Sequence, residues 1–231
     1  MARLKSLLAA LTLVGVCSAH APGHRTISAA KKGKYSAKAT YLVLPENHPL
    51  AGVVNTWARN LARKEIASWT KEAIQGQKEF PSSPLPWEFE LSVEARYLTP
   101  DLASIRINRY DYSGGAHPNH GSEAVNYWKA SGAPVRLYLK DLFVTGFNGR
   151  GFVTKLLIDR LKKMEGADLV QNGELREFDA DQLDRFFLSP TSVTWHFNPY
   201  EVGPYAAGDF DVKLSLSELG PSFRRALLIA R

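Results

Sequence analysis

Two histidines, an aspartate and a serine crowd into one stretch. Asn108 to Gly121 reads Asn-Arg-Tyr-Asp-Tyr-Ser-Gly-Gly-Ala-His-Pro-Asn-His-Gly. Asp111, His117 and His120 have the donor types of a His-His-carboxylate metal site. Asp111, Ser113 and His117 have the types of a nucleophile, its base and an orienting acid. Spacing argues against both. A separation of three residues puts two imidazoles on one face of a helix, but on a glycine loop it fixes no convergence. A serine two residues after the carboxylate and four before the histidine does not assemble a triad, and no Gly-x-Ser-x-Gly pattern occurs. The expectation is therefore that backbone hydrogen bonds hold His117 and steady the loop, that His120 faces solvent, and that there are no catalytic residues, metal or cofactor. A small metal-assisted hydrolase acting on cell-wall material, built on Asp111, His117 and His120, is the alternative.

Binding is the better functional use of this stretch. Tyr110, Tyr112, Tyr127 and Trp128 lie near the loop, and Tyr200 and Tyr205 fall in a later turn; together they offer an aromatic rim for a glycan or a peptide. The candidate ligand-binding set is Tyr110, Tyr112, Gly114, Gly115, His117, Tyr200 and Tyr205. Glu88 and Glu90 lie on the wet side of a strand and read as solvated charges rather than a glycosidase pair. Gly203, Pro204 and Gly208 read as turn geometry.

The elements that must position these residues show in the hydrophobic periodicity. Trp87, Phe89, Leu91, Val93, Ala95 and Tyr97 alternate with polar residues, a strand with one buried face. Thr99-Pro100-Asp101 turns it into a partner strand over 102–112. Upstream, 37–44 reads as a strand. Leu50, Val53, Val54, Trp57, Leu61, Ile66, Trp69 and Ala73 mark a helix up to Gly76, with Asn47 as cap and both tryptophans in the core. Downstream, 123–130 and 135–139 form a second hairpin, 149–165 a helix and 181–187 a short one. Residues 192–197 and 209–216 are strands, and a helix near 221–228 closes the chain. The fold class is α+β in two consecutive halves, β-α-β-β then β-β-α-β-β, with antiparallel sheets and helices packed on one face.

The chain has 231 residues, 45% hydrophobic and 23% charged, the balance of a folded protein. Residues 1–19 read as a signal peptide: Arg3 and Lys5 precede the apolar run from Leu7 to Val16, and Cys17-Ser18-Ala19 suits cleavage. An exported chain, periplasmic or secreted, follows; lipid attachment through Cys17 is the lesser alternative, because Val16 stands where a lipoprotein signal carries a small residue. Cys17 is the only cysteine, so its removal leaves no disulfide or thiol chemistry. Without Arg3 and Lys5 the net charge falls from +6 to +4, a mild excess that, with export, excludes nucleic acid as a partner. No transmembrane segment is expected after the signal. The organisation expected is a signal peptide (1–19), a flexible linker (20–34), an N-terminal α+β half (35–119) and a C-terminal α+β half (120–231).

Four pieces occur in order: Val54-Asn55, Tyr112-Ser113-Gly114-Gly115-Ala116-His117, Leu139-Lys140-Asp141-Leu142-Phe143, and Tyr200-Glu201-Val202-Gly203-Pro204-Tyr205-Ala206-Ala207-Gly208. Together they make the chain resemble the paired extracytoplasmic module of RsiV-type anti-sigma factors, also found before the catalytic domain of PdaC-type peptidoglycan deacetylases. The resemblance spans roughly residues 35 to 220. It implies a bacterial envelope protein whose module is not itself an enzyme. RsiV-type members use the module to bind lysozyme; PdaC-type members carry a separate deacetylase. The chain is expected to hold the module alone, with a cell-wall glycan or a secreted protein such as a lysozyme as its partner. A +4 chain gains no long-range steering toward a basic lysozyme.

Overall fold

The computed structural model describes residues 21–129 and 132–228; the expected signal peptide and Cys17 lie outside them. Among the described residues, six strands form one sheet in sequence order: β1 (Gly23–Lys31), β2 (Tyr35–Val43), β3 (Trp87–Leu98), β4 (Leu102–Tyr112), β5 (Asn119–Trp128) and β6 (Val135–Leu137). A second sheet holds β7 (Phe186–Leu188), β8 (Ser192–Phe197) and β9 (Phe210–Ser215). The helices are α1 (Ala51–Glu79), α2 (Gly149–Leu161), and the short α3 (Asp168–Gln171) and α4 (Ala180–Asp184). The architecture is α+β, as the periodicity indicates.

Alternation along β3 decides which face of the large sheet is dry. Trp87, Phe89, Leu91 and Val93 are buried while Glu88, Glu90 and Glu94 are exposed. Ile105, Ile107 and Val125 continue that face and meet Val54, Ala58, Ala62 and Ile66 of α1. Each large aliphatic side chain removed from water there contributes about 2 kcal/mol. Trp57 and Trp69 pack against the same core. The Val54-Asn55 step has a physical reason. Asn55 Oδ1 accepts from Leu44 N at 2.7 Å and its Nδ2 donates to Leu44 O at 2.9 Å, so one helical amide serves the backbone just past β2. Position 76 of α1 is a glycine because the Trp87 ring lies 2.5 Å from where a Cβ would stand.

The second core gathers Val153, Leu157 and Leu161 of α2 with Trp195, Phe197, Val212 and Leu214 of the small sheet. The Leu139-Lys140-Asp141-Leu142-Phe143 run serves this core. Leu139–Leu142 is a 3-10 turn in which Asp141 Oδ2 accepts from Tyr138 N at 2.9 Å, with Leu142 and Phe143 buried. The small sheet sits on the face of the large sheet away from α1. Leu188 N donates to Ser104 Oγ at 2.9 Å, and Asn126 Nδ2 donates to Phe186 O at 2.9 Å.

Several expectations are corrected. The linker assigned to 20–34 holds β1, nine residues paired in regular antiparallel register with β2; its Ala, Ser and Thr content lacked apolar alternation because it is an exposed edge strand. The sheets are not wholly antiparallel: β2 and β3 are parallel, because α1 crosses over between them. The boundary at 119/120 falls inside the large sheet, since β5 and β6 pair with β4 in continuous register. Helix α1 begins after Leu50 and not at an Asn47 cap; His48 Nδ1 accepts from Leu50 N at 3.1 Å. The closing helix reduces to a 3-10 turn, Arg225–Leu227.

Candidate functional site

The irregular stretch is shorter than its composition indicates. β4 runs to Tyr112 and β5 starts at Asn119, so the loop proper is 113–118. Gly114 has φ +86, and a Cβ there would lie 2.0 Å from Ser83 Oγ and 3.1 Å from Pro84 O. Only glycine fits. Ser83 Oγ donates to Ser113 O at 3.1 Å and accepts from Trp87 Nε1 at 3.3 Å, which ties the loop to the segment entering β3.

Beyond the glycines the chain crosses to the other side of the sheet. His117 Nδ1 donates to Pro118 O at 2.9 Å, a carbonyl being able only to accept. Its ring stacks on Tyr205 with centroids 4.1 Å apart and planes 25° apart. Tyr205 Oη donates to the same Pro118 O at 2.7 Å. The Tyr200 ring lies 5.5 Å from Tyr205, and His120 meets Tyr205 edge-on at 5.7 Å. Tyr200 is 62% exposed and has φ +71, a left-handed backbone that costs a non-glycine residue about 1–2 kcal/mol. The turn that imposes it is closed by Glu201 Oε2, which accepts from Asn198 N at 2.8 Å and from Arg185 Nη1 at 2.5 Å.

The candidate set therefore divides between two faces. His117, Tyr200 and Tyr205 form one rim. Tyr110, opposite His120 in the β4–β5 register, lines with it a polar hollow of about 450 Å³ that also holds Lys38, Thr40, Glu90, Ser92, Glu94 and Asn108. Tyr112 stands on that same open face, opposite Glu88. Gly114 and Gly115 instead line a hollow on the α1 side. Tyr127 belongs to the core, edge-on to Trp57 at 5.9 Å, and Trp128 carries the Arg224 guanidinium over its ring.

The alternative metal set does not converge. Adjacent strand residues point to opposite faces. Asp111 thus turns to the α1 side, where Asn119 Nδ2 donates to it at 3.4 Å, while His120 turns to the open face. His117 is taken up by Tyr205. The Asp111, Ser113 and His117 grouping fails for the same reason, since Asp111 and Ser113 line the α1-side hollow. Among the described residues no group of three or more His, Cys, Asp and Glu side chains is placed to hold a metal ion.

What the sequence reading missed is the joint beneath the rim. His120 Nε2 lies 3.4 Å from Asp209 Oδ1, and Asp209 Oδ2 lies 3.9 Å from Nε2 of the buried His196. His196 Nδ1 donates to Asp211 Oδ1 at 2.7 Å. Asn198 Oδ1 accepts from Ser122 N at 2.6 Å and its Nδ2 donates to Ser122 O at 3.2 Å, pairing the late turn with β5 as a strand would. Arg96 and Arg106 lie over the Phe187 ring at 5.9 and 5.6 Å. One signal was present: strand alternation with Trp195, Phe197 and Phe210 inward places His196, Asp209 and Asp211 together on the outward face.

The hydrogen bond from His196, with Arg106 and Arg96 nearby, holds the Asp211 carboxyl below its ordinary 3.8, against the opposing effect of burial. A depressed carboxyl contributes stability that is full above its unfolded pKa and is lost as pH falls through the folded one. Asp211→Asn is therefore expected to cost about 1 kcal/mol near neutral pH, the side chain being half exposed, and nothing once the wild-type carboxyl is protonated. Urea unfolding of both proteins from pH 6 down to about 2 checks this.

The fold is an α+β protein whose small sheet docks on the large one beside the aromatic rim of His117, Tyr200 and Tyr205. Comparison with known proteins says what each part is similar to. Residues 28–120 match the family described as deacetylase PdaC, and residues 140–217 match a protein of unknown function, DUF3298. The match to the PdaC family agrees with the PdaC-type resemblance of the motifs, and the DUF3298 match follows it along the chain. Two similar solved structures share the fold. One is a DUF3298 family protein from Pseudomonas aeruginosa PAO1, 18% identical, covering 92% of this chain and 99% of its own, with a TM-score of 0.61. The other is a DUF3298 family member from Bacteroides fragilis NCTC 9343, 16% identical, covering 90% and 97%, also with a TM-score of 0.61. No curated protein is significantly similar. Among the described residues no helix is long and apolar enough to cross a membrane.

Proposed function

We propose that the chain is an exported, non-catalytic binding module of the cell envelope. Its recognition face is the rim of His117, Tyr200 and Tyr205 with the adjoining polar hollow of Tyr110 and His120. A cell-wall glycan is the ligand this face suits best, with a segment of a secreted protein such as a lysozyme second. The observation that carries the reading is Tyr200. A large aromatic ring left 62% exposed, on a backbone conformation that costs free energy, is kept by a turn that Glu201, Asn198 and Arg185 brace from behind. Strain held by surrounding structure points to use. The ladder of three rings offers stacking surface, and the hydroxyl, amide and charged groups of the hollow offer partners for sugar hydroxyls. The non-catalytic part of the proposal is supported by the separation of Asp111, Ser113 and His117 onto two faces, which also removes the ligand set of the hydrolase alternative.

Pull-down on purified peptidoglycan and on immobilised lysozyme tests the proposal. The intact chain at micromolar concentration is expected to be retained on peptidoglycan, and Tyr200→Ala to bind about tenfold more weakly with an unchanged melting temperature. No retention on either material, or equal retention of the variant, contradicts it.

A further inference from the structure

A second hollow, of about 520 Å³, lies on the opposite side of the Gly-Gly loop from the rim. Its walls are Trp69 and Glu72 of α1, Phe80 just past the helix end, Trp87 at the start of β3, and Asp111 at the end of β4. Its shape follows from the chain. The absent Cβ of Gly76 lets the Trp87 ring lie against the helix. Phe80 is 64% exposed and is the most exposed large apolar side chain among the described residues.

The charge of this hollow is set against the rest of the molecule. The chain carries a net +6, yet the charged side chains on the walls are Glu72 and Asp111, and among the described residues no Lys, Arg or His lines it. Neither carboxylate forms an ion pair among the described residues. Glu72 Oε1 accepts from Ser68 Oγ at 2.9 Å and Asp111 Oδ2 from Asn119 Nδ2 at 3.4 Å, which leaves each with acceptor capacity to spare. Three aromatic rings and two carboxylates without a cation are the complement of an organic ammonium, which gains from both ring quadrupole and charge.

We propose that this hollow binds a primary ammonium on an aliphatic stem, a lysine-type side chain presented by a peptide segment. The stem lies along Trp87 and Phe80, and the ammonium reaches Glu72 and Asp111. An amino sugar suits the walls less well. Its ring needs a broad open aromatic face, but Trp87 is buried and one face of Trp69 is covered by Phe89, with centroids 5.6 Å apart and planes 24° apart, which leaves Phe80 as the one open ring. A stem can use ring edges, and its ammonium needs acceptors alone.

The test is a titration of the isotope-labelled chain, followed by NMR, with Nα-acetyl-lysine methylamide, its Nε-acetylated form, and glucosamine. The lysine amide is expected to shift the Trp87 indole and the Gly114 and Gly115 amides saturably, with a Kd on the order of 1 mM. The Nε-acetylated form should bind at least about tenfold more weakly, because it lacks the charge. Glu72→Gln, an exposed change that leaves the fold intact, should weaken binding about fivefold, and the Glu72→Gln/Asp111→Asn pair should abolish it with the Trp87 resonance still in place. Equal shifts from the acetylated form, undiminished binding by the double variant, shifts confined to His117 and Tyr205, or tighter binding of glucosamine would each overturn the proposal.

Discussion

Trp195→Ala is expected to cost about 4 kcal/mol and to lower the melting temperature by about 10 °C, the largest loss of any single substitution considered for this chain. Trp195 is fully buried in the second core and tilts against Phe186 at 6.0 Å, and its Nε1 donates to Leu183 O at 2.9 Å. Alanine leaves a cavity bounded by β7, α4 and the helix-covered face of β8, and it strips the Leu183 carbonyl of its donor. The consequence reaches the joint. Adjacent on β8, His196 points the other way and holds Asp211 of β9, so a loosened strand also loosens the pairing of β8 with β9 beside the joint. Differential scanning calorimetry with a parallel urea titration checks the size. A loss below about 1 kcal/mol would mean that the core collapses around the gap, contrary to the packing described.

Gly203→Ala is expected to be nearly as damaging, at about 3 kcal/mol, and to abolish binding at the rim. A Cβ at 203 would stand 1.9 Å from the Gly166 carbonyl oxygen and 3.0 Å from its carbon, both backbone atoms with no flexible end to give way. The turn must move, and Tyr200 and Tyr205 move with it, away from His117. Gly115→Ala is the matched control. The nearest atom to a Cβ there is His117 O at 3.7 Å, so its effect on unfolding should stay within about 0.5 kcal/mol. The two substitutions are compared by urea unfolding and by retention on peptidoglycan. A stable Gly203→Ala protein with normal retention would show that the close approach of 203 and 166 does not shape the rim.

These two glycines show where the sequence is legible and where it is not. Trp87 to Tyr97 could be read as a strand, and the Leu50 to Gly76 spacing as a helix, because each buries one face against a single neighbour and the period follows directly. β1 could not be read, because an edge strand with both faces mostly wet carries no alternation. Nor could the parallel pairing of β2 with β3, which depends on where α1 crosses. At the site, His117 and Tyr205 were singled out from separate stretches, and the structure stacks them. Gly114 and Asp111 were grouped with His117 by nearness in sequence, and the pleat sends them to the other face. The Asp209, His196 and Asp211 joint escaped because each residue looked like an ordinary outward polar position; only the docking of one sheet on the other brings the joint together with His120.

The two modules thus have a common surface that neither forms alone. The loop after β4 supplies His117, the turn before β9 supplies Tyr200 and Tyr205, and Asn198 pairs the two through Ser122. Hydrogen exchange of the intact chain with and without soluble peptidoglycan fragments tests this junction most directly as the recognition face. The account predicts slowed exchange concentrated in 117–121 and 198–209 at saturating fragment, with little change in α2 and the second core. Protection confined to regions away from the junction, or none at saturation, would contradict it.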